Sequence, residues 1–120
     1  MAAATQFVSI QPYFDVEEGK LEEFKAIWAG VTPKVKAETG CLYYGFTYNG
    51  NIAFCREGYS DAAAVLVHLG TVNEALGQAL TISKLIRIEV VGPVSELAQL
   101  REPLAAMPVD WFEGELAHRQ

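Results

Sequence analysis

The sequence predicts an α+β domain of ferredoxin-like plan: a βαββαβ antiparallel sheet with a C-terminal α-β extension. Three observations carry this. Stretches 7–16 and 83–92 alternate apolar and polar residues, as half-buried strands do. One apolar stripe runs through 17–38 at helical spacing. An Asn-Gly pair sits inside the aromatic stretch CLYYGFTYNGNIAFCREGY, 41–59, which marks a hairpin. The chain of 120 residues is long enough to bury a core without staples. It is read as a single domain over 1–120, with a core of about 6–92 and an extension of about 93–116.

In the first strand Val8, Ile10, Phe14 and Val16 share one parity. Pro12 removes a ladder donor there, which predicts an edge or a bulge. The first helix places Leu21, Phe24, Ile27 or Trp28, Val31 and Val35 on one stripe, with Glu17, Glu18, Glu22 and Glu23 at its start and Lys34 and Lys36 at its end, matching the helix dipole. Pro33 costs one internal hydrogen bond, and Gly40 reads as the stop. After the hairpin, Ser60 or Asp61 caps a helix over 61–69 that Gly70 closes, and a Thr71-x-x-Glu74 box starts a second helical piece. In 83–92, Ile86, Ile88 and Val90 fall on one side and Leu85, Arg87, Glu89 and Val91 on the other. A further helix, interrupted near Pro103, leads to a short strand within PVDWFEGEL. Both parities of the hairpin strands are rich in large apolar groups. Helices cover one face of the sheet, so a homodimer in which two sheets meet is expected.

Composition narrows the function. A net charge of −6 with nine scattered basic residues supplies no phosphate-binding stripe, which argues against nucleic acid or an anionic membrane as partner. MAAATQFVSI lacks the basic start of a secretory signal and no run of eighteen apolar residues occurs, so a cytosolic protein is expected. Cys41 and Cys55 are staggered along the hairpin, too far apart for a disulfide, and read as buried thiols without zinc spacing.

ETGCLYY, NIAFCREGYSD and AAAVLVHL, in that order and spacing, resemble the antibiotic biosynthesis monooxygenase (ABM) superfamily. Its members carry a helix ending in E-x-G-C, an aromatic hairpin, a strand closing in E-x-W/Y and an alanine-rich helix with one histidine. The matching positions are Glu38, Gly40, Cys41, Tyr43 or Tyr44, Glu57, Tyr59, Ala63 and His68, within roughly 6–92. The resemblance implies a dimeric α/β barrel and several chemistries: cofactor-independent monooxygenases on phenolic or quinol-like substrates, isomerase-like enzymes, and haem-degrading enzymes. The last pair an asparagine on the first strand with a histidine and a tryptophan near the second helix. Ser9, Gln11 and Tyr13 stand on the first strand here, and no tryptophan lies between Trp28 and Trp111, so haem is disfavoured and no cofactor is expected.

A cofactor-free oxygenation uses the substrate as its own reductant. It needs a base, a group to hold the anion, and a dry aromatic pocket. His68 is the candidate base, since an imidazole titrates near neutrality; the competing reading is a buried histidine with one satisfied hydrogen bond. His118 lies in the terminal tail and is set aside. Trp28, Tyr43, Tyr44, Tyr59 and Phe24 are candidate pocket walls, with core packing as the alternative. Arg56 and Arg87 could hold an oxyanion, although pairing with Glu57, Glu89 or a dimer-mate carboxylate is the simpler account. Glu57 ends an apolar strand and is either a base or, preferably, half of a structural ion pair. The hairpin register stays open: a two-residue turn groups Tyr44, Phe46 and Tyr48 with Cys55, Glu57 and Tyr59, and a three-residue turn groups them with Ile52, Phe54 and Arg56. The leading expectation is a monooxygenase on a small aromatic, phenolic or quinol-like molecule. An isomerase-like enzyme and a non-catalytic binding or dimerisation domain are the alternatives.

Overall fold

The computed structural model describes residues 5–120; residues 1–4, the start of the segment read for a targeting signal, lie outside the described residues. The elements are β1 Val8–Val16, α1 Leu21–Lys36, β2 Cys41–Asn49, β3 Ile52–Tyr59, α2 Ala62–Ala79, β4 Ser83–Gly92, α3 Val94–Ala98 and β5 Val109–Glu113. The sheet runs β2-β3-β1-β4-β5, antiparallel except for the parallel β4–β5 pair. This is the expected ferredoxin-like plan with the extension adding a fifth strand beside β4. No helix among the described residues is long and apolar enough to cross a membrane.

Alternation in β1 buries Val8, Ile10, Phe14 and Val16 under the helices. β1 is a central strand, however, not an edge. Pro12 is tolerated because pairing with β3 lapses at Gln11 and Pro12, and a register shift against β4 follows between Tyr13 and Phe14. That shift also corrects the facing of β4. Tyr13 pairs with Arg87 and Phe14 with Leu85, leaving Ile86 as the extra residue. Leu85 therefore turns inward beside Ile88 and Val90, while Ile86 is exposed.

The hairpin closes through a two-residue loop, Gly50-Asn51, with Asn49 opposite Ile52. Gly50 occupies the first loop position at φ 58°, a conformation that suits glycine. This settles the register: Tyr44 lies opposite Glu57, Phe46 opposite Cys55 and Tyr48 opposite Ala53, all on the helix-covered face.

Three expected helix ends differ. α2 runs unbroken through Gly70, because Val65, His68, Val72, Ala75 and Ala79 form one buried stripe whose packing outweighs the ~1 kcal/mol cost of an exposed mid-helix glycine. Thr71 consequently forms no capping box, and its hydroxyl donates back to the Val67 carbonyl. The start holds: the Asp61 carboxylate accepts from the Ala64 amide at 2.8 Å. α3 itself buries Leu97, and after it the chain proceeds in turns that still bury Leu100 and Leu104.

The last of the three is Gly40, which is no helix stop. α1 ends at Ala37 in right-handed geometry, and Gly40 is where the chain crosses closest to α2. A β-carbon there would stand 2.5 Å from Cβ of Ala64. Gly40→Ala is thus expected to destabilise the fold by about 1–3 kcal/mol, read as a lower urea midpoint at unchanged slope. An unchanged midpoint would show that the two segments can separate freely.

The core has two parts. Phe14, Phe24, Trp28, Val31, Val35 and Val72 pack between α1, α2 and the sheet. Val8, Ile10, Tyr59, Val65, Val90, Leu97, Leu100 and Leu104 pack under the C-terminal extension. The cavity described next draws its walls from both.

Candidate functional site

Two carboxylates and one imidazole meet below the helix-covered face of the sheet. Glu57 stands on β3, His68 on α2, and Glu38 in the turn that joins α1 to β2. All three side chains are almost fully buried. His68 Nε2 lies 3.1 Å from Glu57 Oε1, and His68 Nδ1 lies 3.2 Å from both oxygens of Glu38. The Tyr59 hydroxyl donates to the same Glu57 Oε1 at 2.7 Å. The sequence places them so: Glu57 and Tyr59 are two apart on one strand and share its inner face, while His68 sits one helical turn beyond Val65 on the buried stripe of α2.

Each ring nitrogen faces a carboxylate. A neutral imidazole has one N–H, so its bare nitrogen would then point at a carboxylate lone pair; the protonated ring donates to both. Burial alone would push the His68 pKa down. Hydrogen bonding and charge from Glu57, then from Glu38, outweigh it and hold the pKa above its ordinary value. A raised folded-state pKa means that the protonated ring stabilises the fold fully below the ordinary imidazole range, and that this contribution is lost as pH rises through the folded value. The stability difference between the wild type and His68→Gln is therefore expected to shrink as pH rises above about 6.5, measured by urea unfolding across pH. A difference that instead grows as pH rises towards about 6.5 would mean the ring is buried neutral.

Glu57 and His68 open onto a cavity and are the only charged or basic groups among its lining residues. It offers about 50 Å³ to the centres of water-sized molecules, and about 550 Å³ of empty space when adjoining open solvent is included. Phe14, Trp28, Tyr44 and Phe46 wall one part, and Ile88 and Leu104 belong to another. Tyr44 lies 5.5 Å from the His68 ring, and Tyr59 packs on that ring at 4.9 Å, both centroid to centroid. Burial, and then nearby charge, push the Tyr44 and Tyr59 phenols up, so both stay protonated. The Cys55 thiol is pushed up likewise by burial and by Glu57. Both cysteines are free thiols; Cys55 is buried as expected, whereas Cys41 is only partly buried. Among the described residues no group of three or more His, Cys, Asp or Glu side chains is arranged to hold a metal ion.

Of the residues singled out in the sequence, Trp28, Tyr44, Glu57, Tyr59 and His68 come together here. Tyr43 and Arg56 do not: they lie on the other face of the sheet, where Tyr43 covers Gly58 and Arg56 stands opposite Gly45. Arg87 shares that face and pairs with Glu89 at 2.8 Å. The partner of Glu57 is thus a histidine and not an arginine. Sequence reasoning named Glu38 only as a position matching the E-x-G-C motif and gave it no chemical role. It also gave none to the extension, which contributes Leu104 and Met107 to the cavity.

No family model matches the chain, and no curated protein matches it. Solved structures do. MupZ from Pseudomonas fluorescens is 43% identical with a TM-score of 0.89, over 96% of this chain and 95% of that one. A candidate antibiotic biosynthesis monooxygenase from Caulobacter crescentus is 22% identical, TM-score 0.67, over 75% of this chain and 92% of that one. Another from Chloroflexus aurantiacus is 15% identical, TM-score 0.61, over 73% and 93%. The last two share the fold; the first shares sequence along nearly its whole length. The chain belongs to the family of MupZ, on the fold of the antibiotic biosynthesis monooxygenase superfamily.

Proposed function

We propose that the chain is a small proton-transfer enzyme acting on a neutral, largely apolar molecule. Glu57 and His68 handle the proton, and Glu38 and Tyr59 hold them in place. The observation that carries this reading is a histidine with a carboxylate at each ring nitrogen, facing an otherwise apolar cavity. Two carboxylates outnumber one imidazolium, so the site disfavours anionic substrates. The space has room for a few waters or part of a slender molecule.

In the reaction, the Glu57 carboxylate removes a proton from a carbon next to a carbonyl. The His68 imidazolium beside it offsets the negative charge that develops. Returning the proton to a different carbon of the same anion completes an isomerisation, which consumes neither oxidant nor reductant.

A second reading is cofactor-independent monooxygenation of an aromatic, phenolic or quinol-like substrate, favoured by the flat walls of Trp28, Tyr44 and Phe46. There the same anion passes an electron to O₂ and recombines as a peroxide. Loss of water leaves a carbonyl, with one oxygen atom in the product and one in water. Incubation of enolisable ketones and quinols with the protein in D₂O, under nitrogen and under air, separates the readings. Deuterium entering the α-carbon without oxygen supports proton transfer. Oxygen uptake with quinols and no exchange with ketones supports the second, and neither event leaves a binding module.

The homodimer belongs to the same reading. No helix among the described residues covers the outer face of the sheet, where Tyr13 stacks on Phe54 at 4.6 Å and Tyr43 and Ile86 are half exposed. A second copy closing on this face would complete a dimeric barrel. Sedimentation at micromolar concentration is expected to give a dimer, and a monomer would contradict it.

A further inference from the structure

We infer that Trp28 and Tyr44 form a pair of hydrogen-bond donors for one ligand oxygen, so that the molecule taken by the cavity is a neutral apolar compound bearing a carbonyl-type acceptor. This deepens the proton-transfer reading and rests on it for what happens after binding.

The Trp28 indole N–H and the Tyr44 hydroxyl are buried and have no hydrogen-bond partner among the described residues. Both residues line the cavity that Glu57 and His68 face. Buried donors without a partner are rare and costly, and phenylalanine at either position would avoid the cost. Tyr59 provides the contrast: it also packs beside His68, and its hydroxyl is satisfied by Glu57. The neighbours of the orphan pair cannot serve. Trp28 is packed by the rings of Phe14, Phe24 and Phe46, and Tyr44 has Phe46 edge-on at 6.2 Å. Both nitrogens of the adjacent His68 are taken by carboxylates.

The chemistry of the missing partner follows. An indole N–H only donates, so the partner must accept. Tyr44 keeps its proton at neutral pH and is available to donate as well. Two carboxylates nearby exclude an acid, which leaves a neutral oxygen. Tyr44 stands directly across from Glu57 in the strand register, so an oxygen held at its hydroxyl brings the adjoining carbon beside the carboxylate. The same donors would then stabilise the enolate oxygen that proton removal creates.

The test uses menthone and its hydrocarbon counterpart menthane, two probes of one shape that differ by the oxygen. In ¹H–¹⁵N spectra the Trp28 indole signal is assigned by its absence in Trp28→Phe, with Trp111 as an internal control. Saturating menthone is expected to move the Trp28 indole proton downfield, and menthane to leave it in place. Menthone is expected to bind about tenfold more tightly than menthane, a preference that falls to a few-fold in Tyr44→Phe. An unmoved Trp28 signal, whether because the oxygen gives no advantage or because neither probe enters, overturns the inference. Glu57→Gln separates it from the function. Preference kept while deuterium exchange is lost supports both readings. Preference lost in Glu57→Gln but kept in Tyr44→Phe overturns the donor pair and leaves proton transfer standing. Preference present with no exchange in the wild type does the reverse.

Discussion

Glu57→Gln is expected to lower the rate of α-proton exchange by about a hundred- to ten-thousand-fold, the range that a positioned acid–base group contributes. The amide keeps the size of the side chain and loses the basic oxygen. It also weakens the array, since the oxygen that meets both Tyr59 and His68 no longer carries charge. With the larger of its two stabilising carboxylates gone, His68 is expected to titrate lower than in the wild type. A variant that folds like the wild type and exchanges at the same rate would remove Glu57 from the chemistry. His68→Gln, tested beside it, shows whether the imidazolium shares in the step or only orients the carboxylate: in the second case the rate falls but keeps the wild-type pH profile.

Phe14→Ala is expected to cost about 3–5 kcal/mol of stability, the range for deleting a fully buried phenyl group. Phe14 is 1% exposed and sits at the hub of an aromatic cluster, 5.3 Å from Phe24, 6.1 Å from Trp28 and 6.2 Å from Phe46 by ring centroids. Little can collapse into the space it leaves, because these neighbours are held by α1 and by the register of β2. A loss of this size is a large share of the 5–15 kcal/mol typical of a whole domain. Urea unfolding measures it. A cost below about 1 kcal/mol would show that the cavity beside Phe14 already leaves this part of the core loosely packed.

The order of elements was legible in the sequence because local signals carried it: alternation in β1 and β4, the amphipathic stripe of α1, and Asn-Gly between aromatic strands. The misreadings arose where packing overrides local chemistry. Gly70 reads as a terminator, yet the buried stripe of α2 continues past it. Ile86 reads as core by parity, but one extra residue in β4 turns Leu85 inward in its place. Gly40 reads as a helix stop, although its small size serves the crossing with α2.

The site was half legible for a related reason. Glu57, Tyr59 and His68 lie on two consecutive elements, where period and parity bring them to one face. Glu38 lies thirty residues from His68 and reaches it only through tertiary packing. Tyr43 and Tyr44 are adjacent in sequence, so they face opposite sides of the sheet, and only the loop length decides which faces the cavity. An extra residue in the turn would have exchanged the roles of Glu57 and Arg56.

With a carboxylate at each ring nitrogen, His68 at the cavity wall is expected to stay an imidazolium above the ordinary imidazole range. Long-range ¹H–¹⁵N spectra of histidine-labelled protein report it directly, with His68 assigned by its absence in His68→Gln. At neutral pH both ring nitrogens are expected to show the shifts of a protonated ring, and to change only above the ordinary imidazole range. A neutral ring at neutral pH, with one bare nitrogen, would contradict it.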